Sequence, residues 1–409
     1  MKKTTLDKTE KDMLYLLACG LHNVQPHFSK TGQMNLELLY RKARFHSLTA
    51  MLCMVLEQTD IFHASDEIMV KKWIQEKEKA IRKSILLDAE REKILDLMEQ
   101  AGIWHMPLKG SILKKMYPKY GMRQMADVDI LYDTSCQDTL MNLMEQQGYE
   151  IMRLDQNHHD IFHKQPIYNF EMHHQLFEEK YTPDLYQYYS NIKERLLQNQ
   201  GKKYAFYFTD EDFYIYNTAH ACRHYEESGT GFRTLVDTYV YLTQKGADLD
   251  WDYVKQELKK VQIADFEQKN RKLALKLFSD VRYIDEIQLT EEEMEFLVYI
   301  AGSGTYGTSQ NRISREIKEL QSAGKSDIRT AKLQYYRSRL LPGRTWYKRE
   351  SIFWKYPFLI PFHWLYRICK GVLFSRKRLM NEIKIAWKAE DESGENNTSH
   401  DKHGHLRNV

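Results

Sequence analysis

The sequence predicts an α+β protein, a small mixed sheet embedded in a mainly helical chain, on three observations. Apolar residues recur at helical spacings through residues 5–88. Between residues 103 and 174 the texture changes to short alternating segments that suit strands. Helical spacing then resumes beyond residue 185. The 409 residues suffice for two or three compact units, and 42% hydrophobic with 29% charged residues is ordinary for a globular chain.

Taken in order, Leu14, Leu17 and Leu21 share a helix face, with Asp7 or Thr9 as its cap. Leu36 and Leu39, then the run from Leu48 to Leu56, continue the helical pattern. Residues 66–101 form a charged amphipathic helix stopped by Gly102. Ile103–Met106 reads as a short strand, Gly110–Met116 as a helix start, Asp127–Tyr132 as a strand and Gln137–Gln147 as a helix. Tyr149–Leu154, Asp160–Lys164 and Tyr168–His174 complete the strands, an order that places helices on a small mixed sheet. Asp212–His224 and Arg233–Gln244 are the clearest later helices, and helices continue to about residue 340 with a break at Gly302–Gly307. The regions are thus 1–88 helical, 89–184 the sheet core, 185–336 helical and facing that core, 337–387 basic and aromatic, and 388–409 a polar, disordered tail.

Composition narrows the function classes. A net charge of +3 argues weakly against a long nucleic-acid partner, where a continuous basic face is required. Cys19, Cys53, Cys136, Cys222 and Cys369 are dispersed, which suits reduced thiols, and no apolar run is long enough to span a bilayer. A cytoplasmic location is expected. Residues 337–384 hold twelve Lys or Arg, two acids and ten aromatics. From Trp364, the residues Leu365, Ile368, Cys369, Val372 and Leu373 fall on one helical face, with Arg367, Lys370, Arg376 and Arg378 largely off it. Such a helix either packs on the protein or docks peripherally on an anionic membrane or an acidic partner. Gly302–Gly307 matches G-x-G-x-x-G by letter but follows a helical pattern, so it reads as a loop.

The chemistry concentrates in two segments. Lys109-Gly110-Ser111 follows a strand and opens a helix, so backbone N–H groups and the Ser111 hydroxyl can meet phosphate oxygens, with Lys109 and Arg123 either as cationic contacts or paired with Asp133 or a neighbouring acid. Asp127 and Asp129 share a strand face because side chains alternate, a placement that holds a hard cation such as Mg²⁺, the usual counter-charge of a triphosphate. Glu171 on a nearby strand supplies the third acid, sharing its face with His173. His173 either orients one of these carboxylates or fills the core, and core packing is the simpler reading. His220 and His224, four residues apart, either pack or line the cleft opposite the sheet; without the glutamate of H-E-x-x-H they are not a zinc-protease pair. Arg233 and Asp237 read most simply as an i, i+4 ion pair. These parts describe a metal-dependent nucleotidyltransferase.

The run PLKGSILKKMYPKYGMRQMADVDILYD resembles the signature of the uncharacterised bacterial nucleotidyltransferase family within the DNA polymerase β-like superfamily. Lys109, Gly110, Ser111, Tyr117-Pro118, Arg123, Asp127 and Asp129 carry that likeness, and Phe170-Glu171-Met172-His173 resembles its acid-apolar-His strand, with Glu where Asp is more common. His220, His224, Gly231, Arg233 and Asp237 resemble a later helical block, so the likeness spans roughly residues 90–245. It implies a polymerase β-like core and transfer of an NMP group from an NTP to an undefined hydroxyl acceptor, with Mg²⁺ or Mn²⁺ at Asp127, Asp129 and Glu171. The rival expectation is a non-catalytic NTP-binding scaffold docked through residues 337–384.

Overall fold

In a computed structural model, residues 5–27, 34–156, 159–324, 327–340, 356–366 and 376–388 are described. The chain divides into two compact units, residues 1–306 and 307–409. The first begins with α1 (Lys8–His22), α2 (Leu36–Phe45), α3 (Thr49–Leu56), the single turn α4 (Asp60–His63) and the long α5 (Glu67–Gln100). Of the two candidate caps, Asp7 serves: its carboxylate accepts from the Glu10 N–H, and the Glu10 side chain accepts from the Asp7 N–H. Asp66 caps α5, which runs unbroken through residue 88 and ends before Gly102, whose φ of 73° makes the stop.

The sheet follows: β1 (His105–Pro107), α6 (Gly110–Leu113), β2 (Val128–Tyr132), α7 (Gln137–Gln146), β3 (Glu150–Gln156), β4 (His159–Lys164) and β5 (Tyr168–His173). Its order is β1-β2-β5-β4-β3, with β2 and β5 parallel and the other neighbours antiparallel. This is the mixed sheet the sequence predicts. Alternation gives it two unlike faces. Val128, Ile130 and Tyr132 of β2, Phe162 of β4, and Phe170 and Met172 of β5 are buried with Leu87, Ile94 and Met98 of α5 and Leu140 and Met144 of α7. Each such side chain contributes about 1.5–3 kcal/mol on burial, so the register of β2 against β5 is strongly set. A one-residue slip of either strand would carry Asp129 or Glu171 into this apolar layer.

The opposite face meets the later helices. After α8 (Pro183–Tyr188) and the hairpin of β6 (Leu196–Gln198) and β7 (Phe206–Phe208) come α9 (Asp210–Glu227), α10 (Phe232–Lys245), α11 (Trp251–Lys260), α12 (Ala264–Phe278) and α13 (Glu291–Ser303). Leu131 and Met106 of the sheet belong with these helices and with α1 and α3 in the larger core. Gly302 lies inside α13 and Gly304 ends it at φ 66°, so the G-x-G-x-x-G letters fall at a helix end, outside any strand–turn–helix context.

The second unit contains α14 (Ser309–Gly324), α15 (Ile328–Leu340) and α16 (Arg376–Lys388), packed through Ile313, Ile317, Ala331, Tyr335 and Ala386. Much of the basic aromatic stretch 337–384, including Arg367–Leu373 of the expected amphipathic helix, and the polar tail 389–409 lie outside the described residues. Among the described residues no helix is long and apolar enough to cross a membrane.

Candidate active site

The site is built on the centre of the sheet, where β2 and β5 run side by side. Their register sets Asp129 directly opposite Glu171 and Leu131 opposite His173. Neighbouring residues in register point to the same face, so two carboxylates stand together above the sheet. His173 follows two residues after Glu171, and its Nε2 is 2.9 Å from Asp129 Oδ1 and 4.0 Å from Glu171 Oε2. Asp129, Glu171 and His173 each offer one ligand atom, and these atoms lie within 4.8 Å of one another. His173 is therefore more than core packing: it is buried, yet it faces the carboxylates.

Asp127 stands just before β2 and is half-buried; it is not one of the three converging groups. Burial, then the charge of Asp129, pushes its carboxyl above the usual value, against the opposing fields of Lys109, Arg233 and Lys83. Asp129 moves the other way. Burial acts to raise it, but Lys109, 3.8 Å away, and the His173 hydrogen bond hold it well below the ordinary carboxylate range. Burial also lowers the His173 imidazole despite its bond to Asp129, which keeps the ring neutral at neutral pH.

The Lys109-Gly110-Ser111 turn departs from a simple phosphate cradle. The N–H groups of Ser111, Ile112 and Leu113 donate to the carbonyls of Leu108, Lys109 and Lys109, so they are occupied within the turn. Helix α6 is one turn long and brings little dipole. What the turn does offer is the Ser111 hydroxyl, buried without a hydrogen-bond partner among the described residues, and the Lys109 ammonium. Lys109 sits at φ 30°, ψ −99°, a strained backbone for a residue with a Cβ. Gly110 has a packing reason to be glycine: a Cβ there would meet Met125 Cε at 2.6 Å and Arg123 Nη1 at 2.8 Å.

Two expected pairings change partners. Arg123 is bound bidentately to Asp237, Nε to Oδ1 at 2.8 Å and Nη2 to Oδ2 at 3.0 Å, and Tyr117 donates to the same Oδ1 at 2.6 Å. All three side chains are buried, and they tie the β2 approach to α10. The guanidinium sequence reasoning placed on phosphate is thus engaged with a carboxylate. The i, i+4 pair of Arg233 with Asp237 is not formed, because Asp237 turns inward to Arg123. Arg233 instead points Nη1 at the Gln124 carbonyl, 3.4 Å away, and lies over the Tyr306 ring at 6.0 Å. Among the described residues it has no carboxylate partner, and its charge acts on Asp127.

His220 and His224 of α9 join Nε2 to Nε2 at 3.1 Å. Burial, then Lys109, lowers both imidazoles, His224 to about 3.

Two neighbours escaped the sequence reading. His159 of β4 lies opposite His173, with Nε2 3.7 Å from Glu171 Oε2. The signal was available, since a hairpin pairing Lys164 with Tyr168 counts back to His159 against His173. Lys83 of α5 donates to the Ala126 carbonyl at 2.7 Å, next to Asp127; no local pattern announces that long-range contact.

The family described as "Uncharacterised nucleotidyltransferase" has a model that matches residues 32–279 of this chain. That span exceeds half of the sequence and extends on both sides of the residues whose motifs carry the likeness. No curated protein and no solved structure matches the chain. With the mixed sheet, the paired carboxylates and the matched span in agreement, the chain belongs to the uncharacterised nucleotidyltransferase family.

Proposed function

We propose that the protein transfers a nucleoside monophosphate from an NTP to a hydroxyl acceptor, using a divalent cation and releasing pyrophosphate. The observation that carries this reading is the β2–β5 register, which sets Asp129 beside Glu171 on the face opposite α5 and α7. Two carboxylates and a neutral imidazole with donor atoms within 4.8 Å form a set that fits a divalent cation. Asp129 and Glu171 would hold it, with Asp127 adjacent, and when bound it would offset triphosphate charge and polarise the α-phosphoryl group.

The chain's own groups have separate tasks. The Ser111 hydroxyl donates to a phosphate oxygen, and Lys109 and Arg233 provide the cationic contacts. Gly110 keeps the turn seated on Met125 and Arg123. Glu171 takes the acceptor's hydroxyl proton as that oxygen bonds to the α-phosphorus; the bond to the bridging oxygen breaks, and pyrophosphate leaves with the electron pair. His220 and His224 form a neutral wall beside the acceptor, which is a small molecule, a sugar or a protein hydroxyl.

A thermal-shift panel of four NTPs, with and without Mg²⁺ or Mn²⁺, tests the reading without a known acceptor. One NTP at a hundred times its Kd stabilises the native state by about 2.7 kcal/mol. A rise of roughly 5 °C follows, only with metal, and disappears in the Asp127→Asn/Asp129→Asn double variant. Stabilisation that persists in the variant, or none with any NTP, refutes the proposal.

A further inference from the structure

We infer that His173 is a metal ligand, and that its nitrogen makes the cation site select Mn²⁺ over Mg²⁺. The inference rests on the proposed metal site and specifies its ion. Two ligands at right angles around a cation, each about 2.1 Å from it, stand about 3.0 Å apart, and opposite ligands about 4.2 Å apart. Asp129 Oδ1 and His173 Nε2 are separated by 2.9 Å, and His173 Nε2 and Glu171 Oε2 by 4.0 Å. One pair thus has the spacing of adjacent ligands and the other nearly that of opposite ligands. The same 2.9 Å serves as a hydrogen bond without an ion: Nε2–H donates to Asp129. On binding, the proton moves to Nδ1 and the Nε2 lone pair turns to the cation, with no net change in charge on the ring.

The donor set decides the ion. Mg²⁺ demands oxygen ligands and keeps its waters, so an imidazole at contact distance is a poor partner. Mn²⁺ accepts carboxylate oxygen as Mg²⁺ does but, as the first member of the divalent first-row series, also binds mixed N/O sites. Sequence position reinforces the geometry. β5 holds Glu171 and His173 two residues apart on a strand paired on both sides, by β2 and β4, so the register that places Glu171 also keeps His173 on the same face. His159 is the competing nitrogen, 3.7 Å from Glu171 Oε2, but it lies one strand farther from Asp129.

The experiment is titration of the full chain with MnCl₂ alone, followed by electron paramagnetic resonance, with pulsed measurement of ¹⁴N coupling on the bound ion. The wild-type protein shows the coupling of a directly bound imidazole and binds Mn²⁺ at least tenfold more tightly than Mg²⁺. His173→Gln loses the coupling and weakens Mn²⁺ by roughly 10–100-fold while Mg²⁺ affinity changes little. His159→Gln keeps the coupling. Bound Mn²⁺ without ¹⁴N coupling in the wild-type protein overturns the inference, as does coupling lost in His159→Gln instead. The wild-type spectrum alone decides between nitrogen and oxygen ligation even if His173→Gln fails to fold. Failure here is distinct from failure of the transferase reading: metal-dependent NTP stabilisation with no nitrogen coupling removes only the ligand assignment. Nitrogen-coupled Mn²⁺ with no NTP stabilisation removes only the transfer.

Discussion

Replacing Arg123 with methionine separates the architectural role the structure gives this arginine from the phosphate contact its sequence position suggests. Asp237 accepts two hydrogen bonds from Arg123 and one from Tyr117, all within 3.0 Å and away from water. Methionine fills a similar volume but leaves the Asp237 carboxylate buried with only the tyrosine hydroxyl. Removing one partner of such a pair costs about 3–5 kcal/mol, mostly the stranded charge. With a denaturant slope of about 3 kcal/mol/M, the urea midpoint falls by roughly 1–1.7 M at constant slope. The Arg123→Met/Asp237→Leu double variant removes the stranded charge as well and recovers a large part of that loss, since the two substitutions are coupled. Circular dichroism at 222 nm follows the transition, and NTP affinity is measured on the folded fraction. An Arg123→Met protein with an unchanged midpoint and abolished NTP binding refutes the reasoning and returns this arginine to the phosphates.

Three more outcomes follow from the same geometry. Arg233→Ala weakens metal-dependent NTP binding by about 10–100-fold, the worth of a charged hydrogen bond, and leaves the melting temperature within a degree or two; isothermal titration checks the first and thermal unfolding the second. Lys109→Gly is more stable than Lys109→Ala by about 1 kcal/mol because glycine tolerates the positive φ, while both lose NTP affinity alike. Stability declines as pH falls from about 6.5 toward 3, because His224 has a folded value near 3 and the unfolded chain therefore binds more protons across that window. His224→Gln reduces that slope by at most about 1.4 kcal/mol per pH unit, read from urea midpoints at several pH values.

The legible part of the fold was the part governed by local rules. Period-2 alternation in Val128–Tyr132 and Tyr168–His173, helical spacing in α7, α9 and α10, and Gly102 as a stop all stand close to where the sequence sets them. Asp129 and Glu171 were recognisable for the same reason, since alternation assigns their face once both segments are strands. What remained hidden depends on contacts between distant segments. Asp237 had two candidate arginines, one four residues back on its own helix and one 114 residues back, and only the packing of α10 on the β2 approach selects Arg123. His173 looked like core because a buried histidine usually is; its role appears with the β2–β5 register, which places Asp129 Oδ1 2.9 Å away. The phosphate turn was over-read: the sequence sets a helix start at Gly110, but the helix is a single turn, and the carbonyls of Leu108 and Lys109 occupy the N–H groups of Ser111, Ile112 and Leu113.

The most direct test of the central claim is a crystal structure of the full chain with Mn²⁺ and a non-hydrolysable NTP analogue. The account predicts an anomalous manganese peak shared by Asp129 and Glu171, with the triphosphate against Ser111, Lys109 and Arg233. A nucleotide bound elsewhere, or a triphosphate held by Arg123 with Asp237 released, would contradict it.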